Sequence, residues 1–194
     1  MRNWLFHPLV FYPLAILFAA FVVLVSIKPQ AWPRPPAPVA AQVQDGSLVF
    51  AGSGFNSPDT GPEEDIFVTR DFWGQAQSLR IAQKPGQPPP NAAAHGARIL
   101  FAPEQAAMLA NRPVSVEVTY NPLPVNAASS LAVSLEGEAP IQWVTQPSPP
   151  QPNTLRFELP AQAGVSALGL RAISNEPDQA YGLEITRVRV TPHP

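Results

Sequence analysis

Val114-Ser115-Val116-Glu117-Val118-Thr119-Tyr120 alternates strictly between apolar and polar residues, and this stretch decides the fold. A period of two puts the valines and Tyr120 on one face of a β-strand and Ser115, Glu117 and Thr119 on the other, so one face meets a core and one meets solvent. The pattern returns where Leu131, Val133 and Leu135 alternate with Ala132, Ser134 and Glu136. It returns again where Leu155, Phe157 and Leu159 alternate with Arg156 and Glu158. Shorter segments at residues 47–51, 65–70, 78–82, 97–101, 141–145 and 165–173 are bounded by clusters such as Pro85-Gly86 and Asn121-Pro122.

The last strand changes phase. Leu183 and Ile185 are apolar at odd positions, Val188 and Val190 at even ones. Both pairs can face one core only if an extra residue is inserted, which predicts a β-bulge or a sheet-switching bend near Thr186-Arg187. One short helix is expected, opened by Pro103 and running over residues 104–111. Nine or ten strands at this spacing with one helix predict an all-β, antiparallel β-sandwich.

Outward from these strands, residues 45–194 make one domain, large enough for a real core. Nine basic against fourteen acidic residues leave it a net charge near −5, which argues against nucleic acid or an anionic lipid surface as a partner of this domain. Residues 28–44 are a linker rich in proline (Pro29, Pro33, Pro35, Pro36, Pro38). In polyproline II geometry it forms a semi-rigid stalk that spans on the order of 50 Å.

Residues 1–27 are dominated by an uncharged apolar run, residues 9–27. As a helix the run reaches about 28 Å, close to the hydrocarbon thickness of a bilayer. A cleavable signal has a core of only about 7–15 residues with a small-residue site close behind. Here the nearest such site, Val39-Ala40-Ala41, lies beyond the proline cluster, so the segment is read as a single transmembrane signal-anchor in contact with the lipid bilayer. Trp4 and Tyr12 suit one interface, Lys28 and Trp32 the other. Arg2 and the amino terminus nearly balance Lys28 and Arg34; the size of the C-terminal part and the short tail before the run place the N-terminus inside and the domain on the exported, periplasmic side. Ala15, Ala19, Ala20 and Ser26 would also let another membrane helix approach, as in an accessory or assembly subunit of a membrane complex.

Catalytic signatures are sparse. Gly52-Ser53-Gly54 lacks the spacing of a nucleophile elbow and reads as a turn. His7, His95 and His193 are far apart and the chain has no cysteine, so neither a metal cluster nor a cofactor is expected. Glu63-Glu64-Asp65 could hold a cation, but consecutive acids ahead of a strand read more simply as a solvated loop. The chain is therefore read as non-enzymatic, with a hydrolase acting through unidentified carboxylates as the remaining alternative.

Three stretches carry a family likeness. Ser47-Leu48-Val49-Phe50 with Gly52-Ser53-Gly54-Phe55, then Leu109-Ala110-Asn111-Arg112-Pro113-Val114-Ser115-Val116, and finally Gly182-Leu183-Glu184-Ile185-Thr186-Arg187-Val188-Arg189-Val190 resemble the opening strand and turn, the helix leading into a central strand, and the closing strand of the galactose-binding-domain-like jelly roll. That is the fold of many carbohydrate-binding modules. Asn56 stands where an acidic residue commonly follows the opening Phe, a departure that speaks against the family's structural calcium site.

The resemblance implies a binding module whose ligand could be an envelope carbohydrate. Such a site uses aromatic rings against sugar faces, with polar groups on the hydroxyls. Trp73 with Phe72, Asp71 and Gln75 is the best cluster, because Gly74 and its polar neighbours suggest a loop. Trp143 shares a predicted strand face with Ile141 and Thr145, Tyr181 opens the last strand, and Arg98 with His95 could rim a site beyond the proline-rich loop of residues 83–96. Trp143 reads first as a core residue of the sandwich and Trp73 as either a core or an exposed one, while the proline-rich loops at 83–96 and 146–152 suit protein contact or the protection of exposed edges.

Overall fold

The computed structural model describes residues 7–27, 32–39, 41–61, 64–85, 93–174 and 181–194. Arg2, Trp4, Lys28, Pro29, Ala40, Glu63 and the prolines at 88–90 lie outside the described residues. The chain divides into two compact units, Met1–Trp32 and Pro33–Pro194.

In the first unit, helix α1 (Pro8–Ile27) holds the apolar run, with Pro13 inside it and none of its residues buried. It is long and apolar enough to cross a membrane or to act as a signal sequence. Its last carbonyl, on Ile27, accepts from the Trp32 indole N–H at 3.2 Å, which satisfies one of the groups a helix end leaves open.

The second unit is a two-sheet antiparallel β-sandwich. Its strands are β1 (Gln42–Gln44), β2 (Ser47–Ala51), β3 (Glu64–Arg70), β4 (Ala76–Gln83), β5 (Ala97–Leu100), β6 (Val114–Pro122), β7 (Ser130–Glu136), β8 (Val144–Pro147), β9 (Asn153–Leu159), β10 (Ala167–Ile173) and β11 (Gly182–Pro192). Helix α2 (Pro103–Leu109) joins β5 to β6 where a short helix is expected. One sheet runs β1-β2-β11-β4-β3, with β6 on the other side of β11 and β9 beyond it; the second runs β5-β10-β7-β8. The alternating positions bury as predicted: Val114, Val116, Val118 and Tyr120 are fully enclosed, facing Leu131, Val133, Leu168 and Leu170 of the other sheet in one core.

The phase change in β11 is a register shift between Ile185 and Arg187. Before it, Gly182–Ile185 pair with β4; after it, Arg187–Val190 pair with β2. Strand β6 lies along both halves. The inserted residue therefore lets one strand change neighbours on one side and keep Leu183, Ile185, Val188 and Val190 in the core.

The sandwich begins earlier in the chain than the linker reading places it. Asp45 and Gly46 both have positive φ, 51° and 73°, and close a two-residue hairpin between β1 and β2. Upstream, the proline-rich stretch from Pro33 belongs to the domain rather than to a free stalk. Polyproline backbone leaves its own polar groups without internal partners, and here the domain supplies them. The Ala37 N–H donates to the Ser57 carbonyl at 3.2 Å, and the Gln105 carboxamide donates to the Val39 carbonyl at 3.0 Å. Val39 and Ala41 pack against the core.

Candidate functional site

In β10, Leu168, Leu170 and Ala172 point into the core, so Ala167, Gly169 and Arg171 point outward from the smaller sheet. Register sets Gly169 between Arg98 of β5 and Ser134 of β7, with Glu136 two residues along. Trp143 precedes β8 and is half-buried, yet it is not part of the hydrophobic core; it lies on the outside of this sheet. Two glycines make room for its ring. A Cβ on Gly169 would stand 2.9 Å from Trp143 Cη2, and one on Gly96 would stand 3.0 Å from it.

Around this indole the charged groups form a layer. His95 Nδ1 shares a 2.8 Å hydrogen bond with Glu136 Oε2, and Arg98 ion-pairs with Asp59 and lies 3.7 Å from Glu136 Oε2. Arg171 donates to the Ala94 carbonyl at 2.7 Å, approaches Glu64 at 3.8 Å, and stands over the Trp143 ring at 4.3 Å. The side chains of Glu136, Arg171 and Glu64 are almost entirely enclosed. Four buried polar atoms of the layer have no hydrogen-bond partner among the described residues: Trp143 Nε1, Arg98 Nε, Ser134 Oγ and Glu136 Oε1. Each such group costs about 1–3 kcal/mol, so their concentration in one layer asks for an explanation. Two are donors, one is an acceptor and the hydroxyl is both.

The other aromatic cluster sits at the tip of the β3–β4 hairpin. Asp71 Oδ1 accepts from the Trp73 and Gln75 N–H groups, both at 2.9 Å, and Oδ2 accepts from the Gln77 carboxamide at 3.3 Å. The carboxylate is therefore engaged in shaping the turn. Phe72 and Trp73 project from it, their ring planes 85° apart with centroids 5.2 Å apart. Rings so crossed share no common plane on which one sugar could stack. Behind the tip, Arg34 and Arg70 both donate to the Gly74 carbonyl, at 3.1 and 3.2 Å. Arg70 also holds Asn56, through its side-chain oxygen at 2.7 Å and its carbonyl at 2.8 Å. Burial, and then the charge of Arg34, lower the Arg70 pKa from its ordinary value.

Arg98 and Trp143 thus share one site, whereas Trp73, Phe72, Asp71 and Gln75 share another. Tyr181 joins neither: it packs partly buried against the core, and its carbonyl accepts from the Gln83 N–H at 3.0 Å. On the outer face of the larger sheet, Glu117, Thr119, Thr154, Arg187 and Arg189 line a polar hollow of about 200 Å³. Among the described residues no group of acids and histidines has the makings of a metal site. Sequence reasoning passed over Ser134, Glu136, Gly169 and Arg171. Their signal was present, because the period of two points Ser134 and Glu136 outward and a glycine inside a strand marks a close approach.

No protein-family model matches the chain, and no curated protein matches it. Among solved structures, the CBM22-1 xylan-binding domain of Paenibacillus barcinonensis Xyn10C superposes with a TM-score of 0.50 at 15% identity, covering 80% of this chain and 97% of that one. The fold is the β-sandwich of carbohydrate-binding modules. BiXyn10A CBM1 in apo form is also similar, with a TM-score of 0.46, 11% identity and coverage of 81% and 100%. So is CBM35 from Cellvibrio japonicus Abf62, with a TM-score of 0.40, 12% identity and coverage of 75% and 92%. Identities this low carry the architecture across and leave the ligand to be argued from the site.

Proposed function

We propose that this chain is a non-catalytic carbohydrate-binding module tethered to a membrane by α1, with its sandwich on the exported side. The observation that supports the ligand class is the half-buried Trp143 indole on the outer face of the smaller sheet, with the part-exposed side chains of Arg98 and His95 in the same layer. Mixed donors and acceptors next to an aromatic ring suit a polyhydroxylated ligand, whose hydroxyls both give and accept hydrogen bonds. On this reading Trp143 supplies the apolar contact, Arg98 and His95 orient hydroxyls, and Gly169 lets the indole edge pack closely on β10. The exported side of a bacterial membrane would make an envelope polysaccharide the natural ligand. Xylan is named for the Paenibacillus domain and serves as a first probe.

The test is a glycan array followed by isothermal titration, with the full chain held in nanodiscs. Binding that Trp143→Ala abolishes and Trp73→Ala leaves intact supports the assignment. Binding lost on Trp73→Ala alone moves the site to the hairpin tip, and a silent array removes the carbohydrate reading.

A further inference from the structure

On the face of the sandwich opposite Trp143, the larger sheet carries the polar hollow of about 200 Å³ lined by Glu117, Thr119, Thr154, Arg187 and Arg189. Alternation explains why these five meet. Val116, Val118 and Tyr120 of β6, Leu155 and Phe157 of β9, and Val188 and Val190 of β11 fill the core, so the polar residues between and beside them face out. Register sets Arg187, Thr119 and Thr154 in one cross-strand row and Arg189 and Glu117 in the next. The lining is thus held by three adjacent strands, two of which, β6 and β11, are paired on both sides.

The charges lining it do not satisfy one another. Arg189 directly faces Glu117 across the strands, yet neither Arg189 nor Arg187 comes within ion-pair distance of that carboxylate among the described residues. Arg156, the other cross-strand neighbour of Glu117, is engaged with Glu158 at 2.8 Å. Arg189 Nε is enclosed, which leaves the far end of its fork to meet a ligand. Arg187 donates to Gln44 Oε1 at 3.4 Å. The Thr119 and Thr154 hydroxyls lie 2.9 Å apart, and such a pair keeps one hydrogen to give and lone pairs to accept. No ring lines the hollow, so a sugar face has nothing to stack on. Two guanidinium groups two residues apart, roughly 7 Å along one strand, suit a carboxylate instead. The Glu117 carboxylate beside them suits an ammonium. Direct cross-strand neighbours have Cβ atoms about 4.5–5.5 Å apart, so the opposite charges of the ligand must be adjacent too, as on a single carbon. We propose that the hollow binds the zwitterionic head of an α-amino acid, its carboxylate on Arg187 and Arg189 and its ammonium on Glu117 and the threonine hydroxyls. This site shares no residue with the Trp143 layer and stands apart from the carbohydrate reading.

The test is isothermal titration of the full chain, held in nanodiscs, with L-alanine, acetate, methylammonium, 4-aminobutyrate and glucuronate. Alanine should bind, and the other four should bind at least about tenfold more weakly, because each lacks one charge, separates the two, or replaces the ammonium by hydroxyls. Glu117→Gln and Arg189→Gln should each weaken alanine about tenfold or more. Arg112→Gln, which removes an exposed cation elsewhere, should leave it unchanged. The probe series needs only the parent chain, so it decides the matter even where a variant fails to fold. Alanine bound no better than acetate would overturn the proposal and leave a simple anion site. Glucuronate bound more tightly than alanine would overturn it in favour of an acidic sugar. No binding of alanine, or alanine binding indifferent to either variant in folded protein, would overturn it outright. All of these outcomes spare the Trp143 assignment, which its own variants decide.

Discussion

The Arg171 guanidinium lies 4.3 Å from the centroid of the Trp143 ring, on the outer face of the smaller sheet. The same cation reaches Glu64 at 3.8 Å, and both of those charged side chains are nearly inaccessible to water. An enclosed carboxylate that loses its cation keeps its desolvation cost. Arg171→Ala should therefore destabilise the sandwich by about 3–5 kcal/mol. Glu64→Gln combined with Arg171→Met should recover most of that loss, because no uncompensated charge remains. Urea denaturation of the full chain measures both, and a double variant no more stable than Arg171→Ala would refute the account.

Gly169 tests the layer by volume. An added Cβ would meet Ser134 Oγ at 2.3 Å, Glu136 Oε1 at 2.8 Å and Trp143 Cη2 at 2.9 Å. All three neighbours must move, so Gly169→Ala should cost about 1–3 kcal/mol through overpacking. Glycan binding should fall with it if the layer is the site. A denaturation midpoint unchanged from the parent would show that the glycine is there for some other reason.

Much of this architecture is legible before any coordinates, for a physical reason. Alternation reports which face of a strand is buried, and it located β6, β7 and β9 as well as the insertion in β11. Where no alternation operates, sequence reading fell short. The prolines from Pro33 resemble a free stalk, yet Ala37 and Val39 dock through backbone groups that every residue carries. Asp45-Gly46 is a two-residue hairpin signal, and a domain start at residue 45 falls inside that turn. For the site, the period assigns Glu136 and Ser134 to the outer face. It does not reveal that Trp143, from outside any strand, lies beside Gly169. That juxtaposition depends on the pairing of β7, β8 and β10, a long-range fact.

The bulge offers a sharper test of register. Thr186 Oγ1 donates to the Thr119 carbonyl at 3.2 Å, which ties the inserted residue to β6. Thr186→Ala removes one such bond and should cost about 1 kcal/mol. Deleting Thr186 leaves Leu183, Ile185, Val188 and Val190 in one unbroken alternation on the core face. The shortened strand should still fold, its loss being the bulge that lets β11 change neighbours from β4 to β2. Soluble expression and far-ultraviolet circular dichroism separate the cases. An unfolded deletion variant would mean that the sandwich needs the bulge itself and not only the facing of these side chains.

Tyr120 ties the same strand to alkaline stability. Its ring is fully buried, and its hydroxyl donates to the Pro149 carbonyl at 3.0 Å. Burial raises its phenol pKa above the ordinary 10.0. Between 10.0 and that raised value the folded chain keeps a proton which the unfolded chain has lost, so stability falls as pH climbs through the window. Below pH 10 the contribution is intact. Tyr120→Phe gives up the hydrogen bond, at about 1 kcal/mol, and gives up the titration with it. Its deficit relative to the parent, measured by urea unfolding at pH 8 and again near pH 11, should therefore shrink at the higher pH. A deficit that stays constant would show that the phenol titrates alike in the folded and unfolded states.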